Sequence, residues 1–201
     1  MAREDAGYRI VAVGASAGGL YALRTLVAAL PADFPMPVAV VQHRSKDSEL
    51  LCELLQECTA MEVYEVNDKD EARPGCVYIA PPDYHMLVDE GFFSLSTEAP
   101  VRFSRPSIDV TFESAADTYG MDAIGVVLTG ANADGSRGLR RIVDAGGLGV
   151  VQDPVTAEVK VMPVAAMKAV PEACVLPMDD IGGYLAGIRR RRVPPCAPER
   201  G

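Results

Sequence analysis

Three residues of this 201-residue chain are of the types that together make a serine nucleophile. Ser16 stands in VAVGASAGGL, where Gly14 and Gly18 complete a G-x-S-x-G pattern. His43 ends the apolar run PVAVVQH, and Asp134 lies in LTGANADGSRGL. A serine hydroxyl becomes a nucleophile when a histidine takes its proton and a carboxylate orients that histidine. The three residues therefore predict acyl-transfer chemistry, provided that the fold brings them together.

The Ser16 segment also fits two roles that involve no nucleophile. A serine that precedes a helix is often only its N-cap. A glycine-rich loop before a helix can also bind phosphate through backbone N–H groups. The dinucleotide fingerprint G-x-G-x-x-G is not met, however, and no lysine follows the glycines as the Walker pattern requires. A nucleophile elbow fits the spacing better, because small residues on both sides let the backbone turn sharply between strand and helix.

The base and the acid have alternatives as well. The chain has two histidines, and we expect His85 to be structural, packed at a strand end under a β-hairpin. Asp134 could equally cap the helix predicted over SRGLRRIV. The chain order Ser, His, Asp also differs from the Ser, Asp/Glu, His order of α/β-hydrolases. A triad built from Ser16, His43 and Asp134 would therefore be another convergent arrangement.

Apolar and amphipathic runs alternate along the chain and predict an α/β fold. Continuous Val- and Ile-rich runs such as YRIVAVG and DAIGVVLTG are typical of buried parallel strands, and amphipathic runs such as GGLYALRTLVAAL predict helices. YHMLVDEGFFSLST alternates around Glu90 and Gly91, which predicts a β-hairpin. We expect a three-layer, doubly wound, mostly parallel sheet with helices on both faces. Sites in such sheets form at the carboxyl ends of strands, where Ser16, His43 and Asp134 all fall.

Composition limits the classes of function. The chain is 49% hydrophobic with a net charge of −9, which suits one compact domain and argues against nucleic-acid binding. No apolar signal segment or membrane span is predicted, so we expect a cytoplasmic protein without membrane insertion. The five cysteines form no C-x-x-C pair and are expected to be reduced thiols. We expect a catalytic domain over residues 1–188 and a disordered Arg/Pro-rich tail over residues 189–201.

Six segments, in order, resemble the catalytic domain of the chemotaxis protein-glutamate methylesterases (CheB type). They are VAVGASAGGL, VVQH, VYIAPPDYHMLV, RPSIDVTFESAADTYG, GVVLTGANADGSRGL and VMPVAAMKAV. The resemblance covers about residues 9–180. It implies a serine hydrolase that removes methyl groups from glutamate γ-methyl esters on the cytoplasmic helices of chemoreceptors. It also implies deamidation of particular receptor glutamines, and neither a metal nor an organic cofactor.

The resemblance implies a role for each site residue. Ser16 would be the nucleophile, His43 the general base and Asp134 the orienting acid. Backbone N–H groups would hold the oxyanion. The oxyanion and substrate-binding positions are Ala17, Gly18 and Ala131.

The chain departs from the family pattern in two places. The last motif is TGANADG rather than T-G-M-G-x-D-G, so Ala131 replaces methionine and Asn132 replaces glycine. This change keeps a backbone donor at position 131 but removes an apolar wall, which affects substrate preference more than chemistry. Family members usually begin with a phosphorylatable receiver domain, whereas the first strand here begins near Tyr8. We therefore expect no receiver within this chain and activity without phosphorylation.

Other functions of the same fold remain open. A non-catalytic module would dock a receptor or a kinase without turnover, and an esterase or amidase would act on another protein. A separate receiver protein or kinase is a further candidate partner. Basic residues also suggest a positive rim that faces acidic receptor helices. They are Arg44, Lys46, Arg105, Arg137, Arg140 and Arg141.

Overall fold

Strands and helices alternate along the chain, as an α/β fold requires. The computed structural model describes residues 7–43 and 50–188. The strands are β1 (Ile10–Ala15), β2 (Val38–Gln42), β3 (Glu62–Glu65), β4 (Cys76–Ile79), β5 (His85–Asp89), β6 (Phe92–Ser96), β7 (Ala123–Val127), β8 (Leu148–Gln152) and β9 (Cys174–Leu176). The helices are α1 (Gly19–Ala28), α2 (Leu51–Gln56), α3 (Ile108–Tyr119), α4 (Ser136–Asp144), α5 (Val161–Ala169) and α6 (Met178–Gly187), with a 3-10 turn at Gly120–Asp122.

Seven strands form one sheet in the order β3-β4-β2-β1-β7-β8-β9. Each neighbouring pair in this sheet is parallel, as the sequence predicted. The chain first builds the side of β1 that holds β2 and later the side that holds β7. The strand order therefore reverses between β1 and β7, and the crevice outside the carboxyl ends of strands at such a reversal is where doubly wound folds bind ligands.

Helices cover both faces of the sheet, which gives the three predicted layers. Val11 and Val13 of β1 pack with buried residues of α1, α2 and α6. Ile10 and Ala12, which point to the opposite face, pack with α3, α4, α5 and the hairpin. Because both faces of β1 are buried, its residues are apolar without interruption, as parallel strands covered on two sides require.

The predicted β-hairpin is confirmed, with its turn at Glu90 and Gly91. Strands β5 and β6 form a separate antiparallel sheet in which Val88 lies opposite Phe93. The hairpin packs along α3, where Ser114 Oγ accepts the Val88 N–H at 2.9 Å and Thr118 Oγ1 donates to the Val88 carbonyl at 2.8 Å. The hairpin therefore buttresses the helix whose first turn contributes to the site.

Three features differ from the sequence prediction or lie beyond its reach. Strand β9 and helix α6 were not predicted, because β9 has three residues and α6 contains Gly182, Gly183 and Gly187, which weaken a helical pattern.

Cys174 is disulfide-bonded, so the prediction of reduced thiols is wrong for that residue. Cysteine count and spacing do not reveal which sulfur atoms the fold brings together. The tail at 189–201 lies outside the described residues.

Candidate active site

Ser16 and His43 lie side by side because they follow paired positions of neighbouring strands. In the parallel pair β1–β2, Ala15 lies opposite Gln42, and the next residue of each strand is Ser16 or His43. The His43 N–H donates to the Ala15 carbonyl at 3.1 Å, which extends the strand pairing into the site. Adjacent strands are about 4.8 Å apart, so the fold brings these two predicted residues together.

A sharp turn carries the chain from Ser16 into α1. Gly18 has φ +74, a left-handed conformation that favours glycine, and the Gly19 N–H donates to the Ser16 carbonyl at 2.8 Å. A Cβ on Gly14 would lie 2.3 Å from Ile108 Cγ2, so this glycine lets α3 approach β1 closely. The two glycines of G-x-S-x-G thus shape the elbow and admit the helix that holds Asp134.

The side chains of His43 and Asp134 are joined directly. His43 Nε2 is 2.8 Å from Asp134 Oδ2, and the Asp134 carboxylate is fully buried while the His43 side chain keeps 14% exposure. Asp134 follows β7, on the other side of β1 from His43. The three residues predicted from the sequence therefore converge at one edge of the sheet, at the ends of β2, β1 and β7.

Asp134 also accepts hydrogen bonds from the first turn of α3. Its Oδ2 accepts the Ile108 N–H at 2.7 Å, and its Oδ1 accepts the Asp109 N–H at 2.9 Å and the Ser107 hydroxyl at 3.0 Å. Gly135 N–H also donates to Oδ1, at 3.0 Å. The side chain that contacts His43 is thus the N-terminal cap of α3, and both of its oxygens are occupied.

Asp109 performs the reciprocal capping. This buried residue in the first turn of α3 accepts the Gly135 N–H at 2.9 Å and the Gly138 N–H at 2.8 Å through its Oδ1, and so caps α4. Its Oδ2 makes no hydrogen bond among the described residues, although Arg102 Nε is 3.7 Å and Arg137 Nε 3.9 Å away. Each of the two helix N-termini is therefore capped by a carboxylate from the other.

The two buried carboxylates have opposite pKa shifts. Burial raises the pKa of Asp109, and the nearby Asp134 charge raises it further, while the Gly138 N–H and two guanidinium groups only partly oppose this. Burial also disfavours the charged form of Asp134, but hydrogen bonds from His43 and from the α3 backbone outweigh it and lower the pKa of Asp134. Asp134 is therefore the stronger acid and keeps its charge beside His43.

Asn132 contacts both His43 and the Asp134 backbone. Its Oδ1 accepts the Asp134 N–H at 3.0 Å, which turns its amide nitrogen Nδ2 toward His43 Nδ1 at 3.4 Å. An amide N–H facing Nδ1 requires that nitrogen to be unprotonated, so the network assigns the imidazole proton to Nε2, against Asp134. The residue that replaces the family glycine thus helps define the tautomer.

The predicted oxyanion loops are joined by Thr129. Its carbonyl accepts the Ser16 N–H at 2.9 Å, and its hydroxyl donates to the Ala17 carbonyl at 2.8 Å. Ala17 and Ala131 lie in loops at the ends of β1 and β7 that these bonds hold together. Gln42 adds a further link, because its Nε2 donates to the Ser16 carbonyl at 2.8 Å. Sequence reasoning missed both polar residues, although each lies at or just past the end of a buried strand.

His85 lies two hydrogen bonds away from Asp134. It begins β5, is 2% exposed, and its Nδ1 accepts the Ser107 N–H at 3.2 Å while Nε2 faces the Ala99 carbonyl at 3.2 Å. Ser107 in turn donates its hydroxyl to Asp134. With both ring nitrogens engaged by backbone, His85 supports the start of α3, and the prediction of a structural role stays consistent with its position.

The arginines of the predicted positive rim are engaged within the fold. Arg137 pairs with Glu113, Arg141 with Asp117 at 2.8 Å, and Arg140 with Asp144 and Glu172 at 2.7 and 2.6 Å. Arg105 donates to the Thr97 and Glu98 carbonyls. Arg44 and Lys46 lie outside the described residues. Because the α4 charges are balanced by carboxylates, the structure does not support a positive rim built from them.

Within residues 7–43 and 50–188, no group of three or more His, Cys, Asp or Glu side chains is placed to hold a metal ion. In the same part of the chain, no helix is long and apolar enough to cross a membrane. The prediction that the chemistry needs no cofactor stays a prediction.

Comparison with known proteins decides the family. The CheB methylesterase family model matches residues 11–185, which is most of the chain and contains every site residue described above. This chain belongs to the CheB methylesterase family. The crystal structure of the Thermotoga maritima CheB methylesterase catalytic domain is 33% identical, with a TM-score of 0.87 over 90% of this chain and 99% of that domain. The CheB fold predicted from the sequence is thereby confirmed.

Curated relatives of the CheB family differ in length. A Leptospira interrogans relative is 44% identical over 177 residues, which make up 87% of this chain and 91% of that protein. The protein-glutamate methylesterase/protein-glutamine glutaminase of Maricaulis maris is 38% identical over 194 residues. The protein-glutamate methylesterase/protein-glutamine glutaminase 2 of Anaeromyxobacter dehalogenans is 41% identical over 182 residues. The chain spans 48% and 53% of these two proteins, so about half of their length.

Proposed function

We propose that this chain is a serine hydrolase that removes methyl groups from glutamate γ-methyl esters of chemoreceptor cytoplasmic helices. Residues 1–188 would form its catalytic domain, and the cytoplasm would be its compartment. The observation that carries the proposal is the 2.8 Å contact between His43 Nε2 and Asp134 Oδ2 beside the Ser16 elbow. Family membership and the names of the relatives support the substrate class.

The first half of the reaction forms an acyl-enzyme. Ser16 Oγ attacks the ester carbonyl, and its proton passes to His43 Nδ1, the ring nitrogen that does not face Asp134. Nδ1 has one lone pair, so the long 3.4 Å contact from the Asn132 amide must give way when the Ser16 hydroxyl donates to it. Asp134 stabilises the imidazolium through Nε2–H. Backbone N–H groups at Ala17 and Ala131 hold the oxyanion, a contribution of typically about 3–4 kcal/mol per donor to the barrier. The C–O bond to the methoxy group then breaks, and His43 gives the proton to the departing methanol.

The second half releases glutamate. His43 takes a proton from water, the hydroxide attacks the acyl carbonyl, and Ser16 Oγ leaves with the proton from His43. The product is a glutamate carboxylate on the receptor. A glutamine side chain would react by the same steps with ammonia as the leaving group, which matches the second half of the relatives' printed names.

Methanol release from methylated receptor membranes tests the proposal. Wild type should release methanol, and the Ser16→Ala and His43→Ala variants should each lose the activity. The double variant should be no slower than either single variant, because members of a triad act as a unit. Ser16 is partly exposed, so the free energy of unfolding of Ser16→Ala should equal that of wild type. A loss of activity in this variant would then not come from a loss of folded protein. Methanol release by Ser16→Ala at the wild-type rate would refute the proposal, as would an inactive wild type.

A further inference from the structure

A tight turn beside the site presents a phenylalanine to solvent. Val101 and Ser104 exchange two backbone hydrogen bonds, of 3.1 and 2.9 Å, around Arg102 and Phe103. Both central residues have positive φ, +49 and +66, and the Phe103 side chain is fully exposed, at 103%. Such turns favour glycine or asparagine, and a bulky residue in left-handed conformation costs about 1–2 kcal/mol. Burial of the ring does not offset that cost, since the ring lies in solvent.

The turn is held in place by its neighbours. Arg105 Nη1 donates to the Thr97 carbonyl at 2.9 Å and to the Glu98 carbonyl at 3.1 Å, which ties the end of the turn to the segment after β6. Arg102 Nε lies 3.7 Å from Asp109 Oδ2, at the caps that position Asp134. The ring of Phe103 is thus presented from a defined position relative to the site.

A cavity joins this turn to His43. Its volume is about 180 Å³, and it is lined by His43, Phe103, Ser104, Arg105 and Pro106. Pockets for whole small-molecule ligands are typically about 300–1,000 Å³. The smaller cavity suits one extended side chain that enters from a larger molecule. The remainder of that molecule must then pass over the mouth of the cavity, where Phe103 stands.

Exposed apolar residues of the described chain are concentrated at the same edge of the sheet. Six of the ten large exposed hydrophobic residues lie in segments that follow the carboxyl ends of strands of the seven-stranded sheet, and a seventh, Phe103, lies between the hairpin strand β6 and the start of α3. The seven are Leu20, Tyr21, Leu50, Tyr84, Phe103, Val155 and Val161. Exposed apolar side chains on one side of a molecule are typical of interaction surfaces, and these seven follow the strand ends or precede the helix that form the candidate site.

We propose that Phe103 is a specificity residue that packs against the polypeptide carrying the ester, so that the enzyme prefers a protein-borne glutamate ester over the same ester on a small molecule. This inference rests on the proposed function. It adds the contact by which the enzyme would recognise the polypeptide around the esterified glutamate. The occupant is a segment of the receptor on either side of the esterified residue. The contact acts in binding, since Phe103 does not touch the reacting bond.

Three variants test the contact. Phe103→Asn removes the ring but tolerates positive φ, Phe103→Tyr keeps an aromatic ring, and Met121→Ala removes an exposed apolar side chain at the amino end of β7, away from the site. The two substrates are a methylated receptor cytoplasmic fragment and N-acetyl-glutamate γ-methyl ester. For the fragment, Phe103→Asn should raise KM about tenfold with kcat unchanged, the effect of partly burying one phenylalanine. For the small ester the rise in KM should be much smaller, about twofold, because that substrate reaches only the part of the ring that lines the cavity. Phe103→Tyr and Met121→Ala should act like wild type on both substrates.

Binding measured without turnover separates this inference from the proposed function. Calorimetry with the Ser16→Ala variant and with Ser16→Ala/Phe103→Asn should give affinities for the methylated fragment that differ about tenfold. Equal affinities, no binding of the fragment, or equal losses on both substrates would overturn the role of Phe103, as would a change of oligomeric state in Phe103→Asn. An inactive wild type that still binds the fragment through Phe103 would instead refute only the proposed hydrolysis.

Discussion

Replacing Asp134 by asparagine should damage both folding and the proposed catalysis, because one carboxylate contacts His43 and caps α3. Its two oxygens accept five hydrogen bonds, two on Oδ2 and three on Oδ1. An asparagine must place an NH2 group where one oxygen now accepts. At the Oδ2 position that group would face two donors, the ring of His43 and the Ile108 N–H. At the Oδ1 position it would face three.

The two effects have separate magnitudes. Leaving a buried polar group unpaired costs about 1–3 kcal/mol, so two such groups lower the free energy of unfolding by about 2–6 kcal/mol. That is a large share of the roughly 5–15 kcal/mol of a typical domain. An NH2 facing His43 Nε2 would also move the imidazole proton to Nδ1, the nitrogen that accepts from Ser16 in the proposed mechanism. A wrong tautomer of this kind lowers kcat by about 10⁴ in serine proteases, and we expect a similar loss here.

Urea unfolding and methanol release, measured on the same preparations, separate the two effects. Ser107→Ala is the matched control, because it removes one donor to Asp134 Oδ1 and leaves the contact with His43 intact. It should lose about 1 kcal/mol of stability and retain activity within about tenfold of wild type. An Asp134→Asn variant as stable as wild type would refute the capping role. Hydrolysis by a folded Asp134→Asn variant within about tenfold of wild type would refute the orienting role.

Two further predictions concern pH. Asn132→Asp places a carboxylate beside His43 Nδ1, and a nearby negative charge favours the protonated ring. The acidic limb of the pH–rate profile should therefore move to higher pH in this variant. In the control variant Asn132→Ala, which adds no charge, the limb should not move to higher pH. An unmoved limb in Asn132→Asp would contradict the contact. The raised pKa of Asp109 means that its contribution to stability is fully present below the ordinary aspartate pKa of 3.8 and is lost as pH rises through the higher pKa of the folded state. Urea unfolding should therefore find Asp109→Asn less destabilised relative to wild type at about pH 7 than at about pH 4, and parallel pH curves for the two proteins would contradict this.

Local patterns predicted most of the fold. Uninterrupted Val- and Ile-rich runs predicted the central strands, and strict alternation around Glu90 and Gly91 predicted the hairpin with its turn in place. The pattern was insufficient for β9 and α6, which draw their stability from packing against β8 and α1 rather than from their own sequences. A short strand beside a buried one and a glycine-containing helix carry little local signal.

The sequence predicted those residues of the candidate site whose positions depend only on the ends of neighbouring strands. Ser16 and His43 meet because parallel register carries adjacent strand ends to one place, and such register follows from the hydrophobic pattern. The partners of Asp134 were not predictable in this way. Asp109 lies 25 positions before it in the chain, and in the sequence its side chain is only an acidic residue in a helical first turn. Hydrogen bonds between distant segments depend on how helices pack, which no local pattern encodes.

The exchanged caps of α3 and α4 couple the two helix starts into one opening unit. The amide protons of Ile108, Asp109, Gly135 and Gly138 are each held by a carboxylate on the start of the other helix or by Asp134 itself. Neither start can fray without uncapping the other, so these protons exchange with solvent in one shared fluctuation rather than independently. A molecule in that open state lacks the contact between His43 and the Asp134 carboxylate, on which the proposed reaction depends. In mild denaturant the total activity would then fall in proportion to the fraction of open molecules. Each molecule in the closed state would keep its full kcat.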